Sequence, residues 1–345
     1  MFFTFTQAWP LWAQQLFYAI VPVVLMIAVV MTSVILFVWY ERRWLGVLQH
    51  RFGPNRVGPF GLLQLIADAV KMMTKEDIMN REVHKVLFTM APIITMSSAL
   101  IAWAVIPFGE NMIISNIETG IFFLFAIAGM GTFATIIAGY ASANKWSTLG
   151  AMRGVGQAIS YEIPLLFSVV PIFLIAGSFN LQDIVLQQQG FWNIWKQPLA
   201  FLLFYICMTA EVNRTPFDLP ESESELVSGF NTEYSGFKFG GFFMGEYIAS
   251  VTMCALLTLL FFGGWYLPFA NIEVINALHT GTIGYLINPI VFLAKTYFFF
   301  GITVWVRATL PRVTIGMLLS FAWKGLIPLT ILNIFVTGLV LYILR

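Results

Sequence analysis

Eight apolar runs divide this chain, near residues 16–40, 86–107, 119–140, 160–178, 198–213, 242–265, 284–306 and 322–344. A helix needs roughly 20 apolar residues to cross a bilayer. The pattern therefore predicts an all-α polytopic membrane protein with about eight transmembrane helices. The fourth and fifth runs are short. Their purely apolar parts, 163–177 and 199–210, cross only if neighbouring polar residues enter the membrane. The first run is too long for the apolar region of a cleaved signal, and no small-residue cleavage site follows it, so it reads as a retained span. Between the first two runs the pattern changes. Turn residues crowd Gly53-Pro54-Asn55-Arg56-Val57-Gly58-Pro59. Then Leu62, Leu65, Ile66, Ala69 and Met73 recur at helical spacing, with Gln64, Asp68, Lys71 and Lys75 on the other face. That is an amphipathic helix in the first loop, lying on the membrane surface or against a partner protein.

Composition supports a bilayer as solvent. Of the 345 residues 59% are hydrophobic and 10% charged, against about 25% charged in soluble domains; the mean hydropathy is +0.83. No repeat or low-complexity tract interrupts 1–345, which reads as a single integral membrane domain. A net charge of +1 offers nothing to nucleic acid. The positive charges are unevenly placed. Loops 41–85, 141–159, 214–241 and 307–324 hold fifteen of the eighteen Lys and Arg; Lys196 and Arg345 lie on the other side, and Lys295 lies within the seventh run. By the positive-inside rule the loaded loops face the cytoplasm or an organelle matrix, and both termini face the periplasmic or intermembrane side. Cys207 and Cys254 sit apart in apolar runs and read as small buried hydrophobes.

Candidate chemistry lies where charge meets these runs. Glu41 ends the first, Glu162 opens the fourth, Glu211 ends the fifth and Glu246 opens the sixth, all on the cation-rich side with Arg42 and Arg214 nearby. Ionisable groups at a membrane boundary face partners or a wet cavity, since lipid does not solvate them. A proton-conducting path fits four such acids; acids solvated by headgroups are the blander alternative. For Lys295 two readings stay open, a proton relay and a snorkelling or singly paired structural cation. From Glu211 to Tyr234 the chain reads EVNRTPFDLPESESELVSGFNTEY, with Asp218, Glu221, Glu223, Glu225 and Glu233 close together and Pro216 and Pro220 holding the backbone out of helix. Two isolated cysteines fall short of the four that an iron–sulfur cluster takes. His50, His84 and His279 fall in expected loops, away from a haem-ligating position within a span, and Gly154-Val155-Gly156 opens no dinucleotide motif. The expectation is a chain without an iron–sulfur cluster, flavin or haem of its own.

Four blocks then carry a resemblance. They are Glu41-Arg42-Arg43 through QHRFGPNRVGPFGLLQLIADAVKMMTKED, GYASANKWSTLGAMRGVGQAISYEIP at 139–164, AEVNRTPFDLPESESELVSGFNTEYSGFKF at 210–239, and RATLPR at 307–312 followed by Trp323-Lys324. Together they resemble the H-subunit family (subunit 1 in mitochondria) of the proton-pumping NADH:quinone oxidoreductases, respiratory complex I. The resemblance implies a translocase subunit, not catalytic alone, that joins the peripheral and membrane arms, with quinone as the complex's substrate. It implies as partners the soluble quinone-site subunits, the small neighbouring membrane subunits and the lipid of a bacterial cytoplasmic or mitochondrial inner membrane. Carried onto this sequence, it places Arg42, Asp68, Lys71, Arg214, Asp218, Glu221, Glu223, Glu225 and Glu233 on a quinone chamber. Glu41, Glu162, Glu211, Glu246 and Lys295 become proton-coupling candidates. The chain departs from the family at Val313–Leu318, where many members have Arg-Tyr-Asp-Gln-Leu-Met, and at Gly131, where some have Glu. Two rivals stand beside this reading: a stand-alone transporter, which no inverted repeat supports, and the related subunit of a membrane-bound hydrogenase, against which the intact PFDLPESESELV block argues.

Overall fold

The computed structural model describes residues 10–110, 112–268, 279 and 281–344, without the side chains of Glu223, Ser224 and Thr282. Among the described residues the chain is helical with no strand. In order, the elements are α1 (Leu11–Leu48), α2 (Gln64–Thr74), α3 (Lys85–Ile101), α4 (Gly120–Ala141), α5 (Lys145–Ala176), α6 (Leu181–Gln187), α7 (Asn193–Lys196), α8 (Pro198–Glu211), α9 (Glu223–Leu226), α10 (Gly236–Phe261), α11 (Gly281–Thr309), α12 (Ile315–Phe321) and α13 (Ile327–Ile343). A π-helical turn, Ala322–Leu326, joins α12 and α13 into one rod. Among the described residues seven helices are long and apolar enough to cross a membrane. The eighth expected crossing, α8, has 14 residues and reaches about 21 Å at 1.5 Å per residue, short of a hydrocarbon core of about 30 Å.

Helix ends follow local chemistry. Asn144 caps α5 by accepting from Trp146 N (3.0 Å), and Gly177 ends it in the left-handed region, its N–H on Phe173 O (2.8 Å). Asn180 caps α6 in the same way through Gln182 N (2.9 Å). Prolines 22, 92, 164, 171 and 289 sit inside long helices, which membrane helices tolerate because neighbours satisfy the freed backbone groups.

Several boundaries differ from the apolar pattern, and the reason is shared. The fourth run is no short span: α5 starts at Lys145, so most of the expected loop 141–159 is helix. The polar and small residues that looked like loop are instead buried on one face of α5: Ser147, Gly150, Gly154, Gln157 and Ser160. They accept the re-entrant segment between α8 and α10, and a Cβ on Gly150 would stand 2.7 Å from Gly229 Cα. Likewise α1 runs on past Glu41 to Leu48, and α10 begins at Gly236. Glu162 and Glu246 therefore lie inside helices rather than at their openings. His279 is helical and buried rather than in a loop; its ring bonds Asn288 Oδ1 (2.7 Å) and accepts from Leu267 N (3.2 Å). Both cysteines are free and buried.

The core centres on α10, whose buried residues run from Val251 to Phe261 without a break. Against it and α1 lies an aromatic stack. Phe37 is fully buried, face to face with Tyr297 (centroids 4.0 Å, planes 7° apart) and edge-on to Phe300 (4.5 Å). Truncating Phe37→Ala removes this contact between α1 and α11 and should cost about 3–5 kcal/mol. Thermal unfolding of the detergent-solubilised protein should show the loss. An unchanged midpoint would mean that the stack does not join the helices.

Candidate functional site

The loop after α8 turns back sharply. Arg214 N bonds Thr209 O (3.1 Å), and Asn213 adopts a positive φ of 52°. This places the Arg214 side chain, 8% exposed, among three long helices. Nη1 donates to both oxygens of Glu41 on α1 (3.1 and 3.2 Å). Nε donates to Ser250 Oγ (3.3 Å) and lies 3.4 Å from Glu246 Oε1, both on α10. The guanidinium carbon stands 4.2 Å above the Tyr247 ring. Arg307 from α11 also pairs with Glu41, through the Oε1 that Arg214 contacts, and Glu41 is 2% exposed. Two cations face two carboxylates, so the cluster is neutral as a whole. Isolated charges in such a place would be costly, and pairing with hydrogen bonds is what makes their burial tolerable.

Beside this cluster is a cavity of about 130 Å³ between α3, α4, α5 and α10, room for several water molecules. Glu211, Glu221 and Glu246 reach its wall, as do the hydroxyl-bearing Thr95, Ser98 and Thr252, while the rest is mostly apolar. Glu211 Oε2 is buried without a hydrogen-bond partner among the described residues, and its carboxylate is close enough to Glu162 for the two to interact. Gly131 also lines the cavity, and a Cβ there would meet nothing within 4 Å.

Each described acid of the re-entrant segment has a separate partner. Asp218 binds Arg312 Nη2 (2.9 Å), Glu221 accepts from Asn231 Nδ2, Glu225 pairs with Arg153, and Glu233 accepts from Asn144 Nδ2 (2.7 Å). The side chain of Glu223 lies outside the described residues. Burial raises the Asp218 carboxyl above its ordinary value, against the pull of Arg312. Burial, then Glu246 and Asp218, raise that of Glu221 well above. At the edge of the site Arg42 pairs with Asp68 of α2 (2.5 Å), and Lys71 is exposed. The apolar face of α2 is open as well, with Ile66, Val70 and Met73 exposed.

Lys295 stands apart. Its ammonium donates to three backbone carbonyls just beyond α10, those of Phe262 (2.7 Å), Gly264 (2.9 Å) and Tyr266 (2.5 Å), and lies 4.6 Å from the Trp192 ring centroid. It is about 18 Å along α11 from Arg307, at the opposite end of the bundle from Glu41. The structure thus groups Glu41, Arg214 and Glu246, sets Glu211 and Glu221 on the wall of the adjoining cavity with Glu162 close to Glu211, and leaves Lys295 outside both. Residues not singled out in the sequence complete the site: Arg307, Arg312, Tyr247, Ser250 and Gln157. Arg307 had a signal, as the first cation beyond the seventh apolar run on the side of Glu41. Gln157 had none. It is 1% exposed and donates through Nε2 to Ala210 O (2.7 Å), Asn213 Oδ1 (3.0 Å) and Phe217 O (2.8 Å), which holds the turn carrying Arg214. No group of three or more metal-ligating side chains is found among the described residues.

Fold and site together define an integral membrane protein of helices wrapped around a buried, paired charge cluster and an acid-lined cavity. Residues 21–338 match the family model described as NADH dehydrogenase. The chain is 43% identical over 337 residues to the H subunit of the NADH-quinone oxidoreductase of Brevibacillus brevis, covering 98% of this chain and 97% of that protein. It is also 43% identical over 312 residues to the protein of the same description from Rhodospirillum centenum, with 90% of each covered. The chain belongs to the NADH dehydrogenase family.

Two outcomes follow from the geometry. Arg214→Met would leave Glu41 and Glu246 facing each other with only Arg307 to offset them, a destabilisation of about 3–5 kcal/mol read from the unfolding midpoint. For Glu221, a carboxyl raised in the folded state holds its proton where the unfolded chain has released it. Its stabilising contribution is complete below the ordinary value of 4.5 and is lost as pH rises through the raised value. Glu221→Gln should flatten the decline in thermal stability that sets in as pH rises above 4.5 and ends once the raised value is passed. An unaltered pH profile would show that Glu221 ionises normally.

Proposed function

We propose that this chain is the subunit of a proton-translocating NADH:quinone oxidoreductase that forms much of the membrane wall of the quinone chamber and begins the proton-coupling path. The observation that carries this reading is the charge-balanced cluster of Glu41, Glu246, Arg214 and Arg307 standing against a cavity lined by Glu211, Glu221 and Glu246. A cavity of that size holds water, and water between carboxylates is a route for protons. The acids of the re-entrant segment, each held by a polar partner, form the charged wall facing the headgroup. Glu225 pairs with Arg153 and Asp218 with Arg312 at its outer margin. The apolar face of α2 guides the quinone tail. The redox groups belong to soluble partners that dock on the cation-rich loops, and small membrane subunits pack on the exposed sides of the bundle. Those loops face the cytoplasm or matrix, with both termini opposite.

In this account Lys295 anchors the far end of α10 and takes no part in the first proton step. Arg214 and Arg307 hold Glu41 as a fixed anion, and the unpaired Glu211 is the group free to exchange a proton with the cavity. Glu211→Gln and Glu225→Gln should each lower quinone-dependent NADH oxidation about 10-fold or more, within the range general acid–base groups contribute, with the complex still assembled. Assembled variants with wild-type turnover and pumping would refute the reading. Orientation has its own check. Cysteines introduced at Arg56 and Lys196 should label from opposite faces of sealed vesicles, and labelling from one face would overturn the topology.

A further inference from the structure

Two side chains of opposite kind leave the turn that ends α8. Glu211 reaches the wall of the acid-lined cavity, and its Oε2 is buried without a hydrogen-bond partner among the described residues. Three residues later Arg214 enters the cluster with Glu41, Glu246 and Ser250. One side chain from α5 is bonded on both sides of this turn. Gln157 Nε2 donates to Ala210 O, next to Glu211 (2.7 Å), and to Asn213 Oδ1, next to Arg214 (3.0 Å). It also donates to Phe217 O beyond the arginine (2.8 Å). Two N–H groups serve these three acceptors, so one bond is shared.

The partners orient the amide. Turned over, its oxygen would face three oxygens. As it stands, Oε1 is buried and has no partner among the described residues, which costs stability. The donor side is therefore what the position demands. Few side chains could supply it. Asn is a methylene shorter, and Lys or Arg would add a second cation beside Arg214.

We propose that Gln157 is a positioning residue: its neutral amide fixes how far the cavity-facing Glu211 stands from the paired Arg214, and so keeps that acid without a cation of its own. The proposal rests on the reading of Glu211 as the group that exchanges a proton. The titratable groups near Glu211 are Glu162 on α5 and Cys207 one turn earlier on α8, with Glu221 and Glu246 on the same cavity wall. Among the described residues α3 and α4 face the cavity with uncharged side chains. Releasing the clamp lets the turn relax and the Glu211 carboxylate reach a cation or water, which favours its charged form.

The test uses the intact assembly. A membrane-soluble carbodiimide modifies protonated carboxyls, and peptide mass spectrometry reads the modified fraction of Glu211 against pH. Gln157→Met, close in length but without a donor, should move the midpoint to lower pH by about one unit or more. Gln188→Met is the control for a merely structural loss. Gln188 is comparably buried, donating to Leu259 O (2.8 Å) and accepting from Gly263 N (3.0 Å), about 20 Å along α10 from Glu246. Its loss should lower the unfolding midpoint and leave the Glu211 profile in place. If Gln157→Met does not assemble, Gln157→Asn, whose amide falls a methylene short, gives the same readout. An unshifted profile in the Gln157 variant, an equal shift in Gln188→Met, or no modification of Glu211 at any pH in the unaltered protein overturns the proposal. Labelling needs no quinone turnover. A shifted profile beside a Glu211→Gln variant of wild-type turnover would refute the proposed function and leave this assignment standing.

Discussion

A guanidinium enclosed by helices in a bilayer must be neutralised where it sits, and the arrangement of this protein turns on how Arg214 is. Its partners come from distant parts of the chain: Glu41 on the first long helix, Glu246 and Ser250 on the tenth, with Arg307 of the eleventh sharing Glu41. Removing any one partner leaves the others buried and unbalanced, which is why the pairing constrains four segments at once. The backbone turn at Asn213, held by the Gln157 amide, sets the angle at which the arginine enters. Small residues on α5 let the re-entrant segment come close enough for that turn to form.

The same constraint sorts the acids. Those beside Arg214 and Arg307, Glu41 and Glu246, lie in ion pairs. Those a helix away, Glu211 and Glu162, have no arginine partner among the described residues; Glu211 adjoins a cavity large enough for water, and Glu162 lies close to Glu211. The protein thus places acids paired with arginine next to acids without an arginine partner among the described residues, with Glu246 paired with Arg214 and also lining the cavity. Lys295 illustrates the contrast. Its three carbonyl partners and the Trp192 face satisfy it locally, so it stabilises the outer turn of the bundle without entering the cluster.

Much of this was legible in the residues. Apolar runs located every long helix, because a bilayer demands an unbroken stretch of apolar residues and few soluble constraints blur it. The acids Glu41, Glu211 and Glu246 stood out because charge at the edge of such a run has few explanations. What was hidden has one physical cause. Segment 145–159 is polar and glycine-rich, so it reads as loop, yet it is helix buried against protein rather than lipid. Hydropathy reports contact with lipid and is silent where helix meets helix. Arg307 and Gln157 escaped notice for a related reason, since their importance comes from partners more than fifty residues away. Which partner each acid of the 211–234 stretch would choose could not be read from spacing, because Arg153, Asn144 and Arg312 arrive from other helices and loops.

The central claim is that this chain works inside a quinone-reducing assembly rather than alone. Gentle detergent extraction, followed by quinone-dependent NADH oxidation with and without a quinone-site inhibitor, addresses it most directly. The account predicts a large co-purifying assembly whose activity the inhibitor abolishes. A chain that purifies alone, with no such activity, would contradict it and leave a membrane bundle with a buried charge cluster whose role lies in transport.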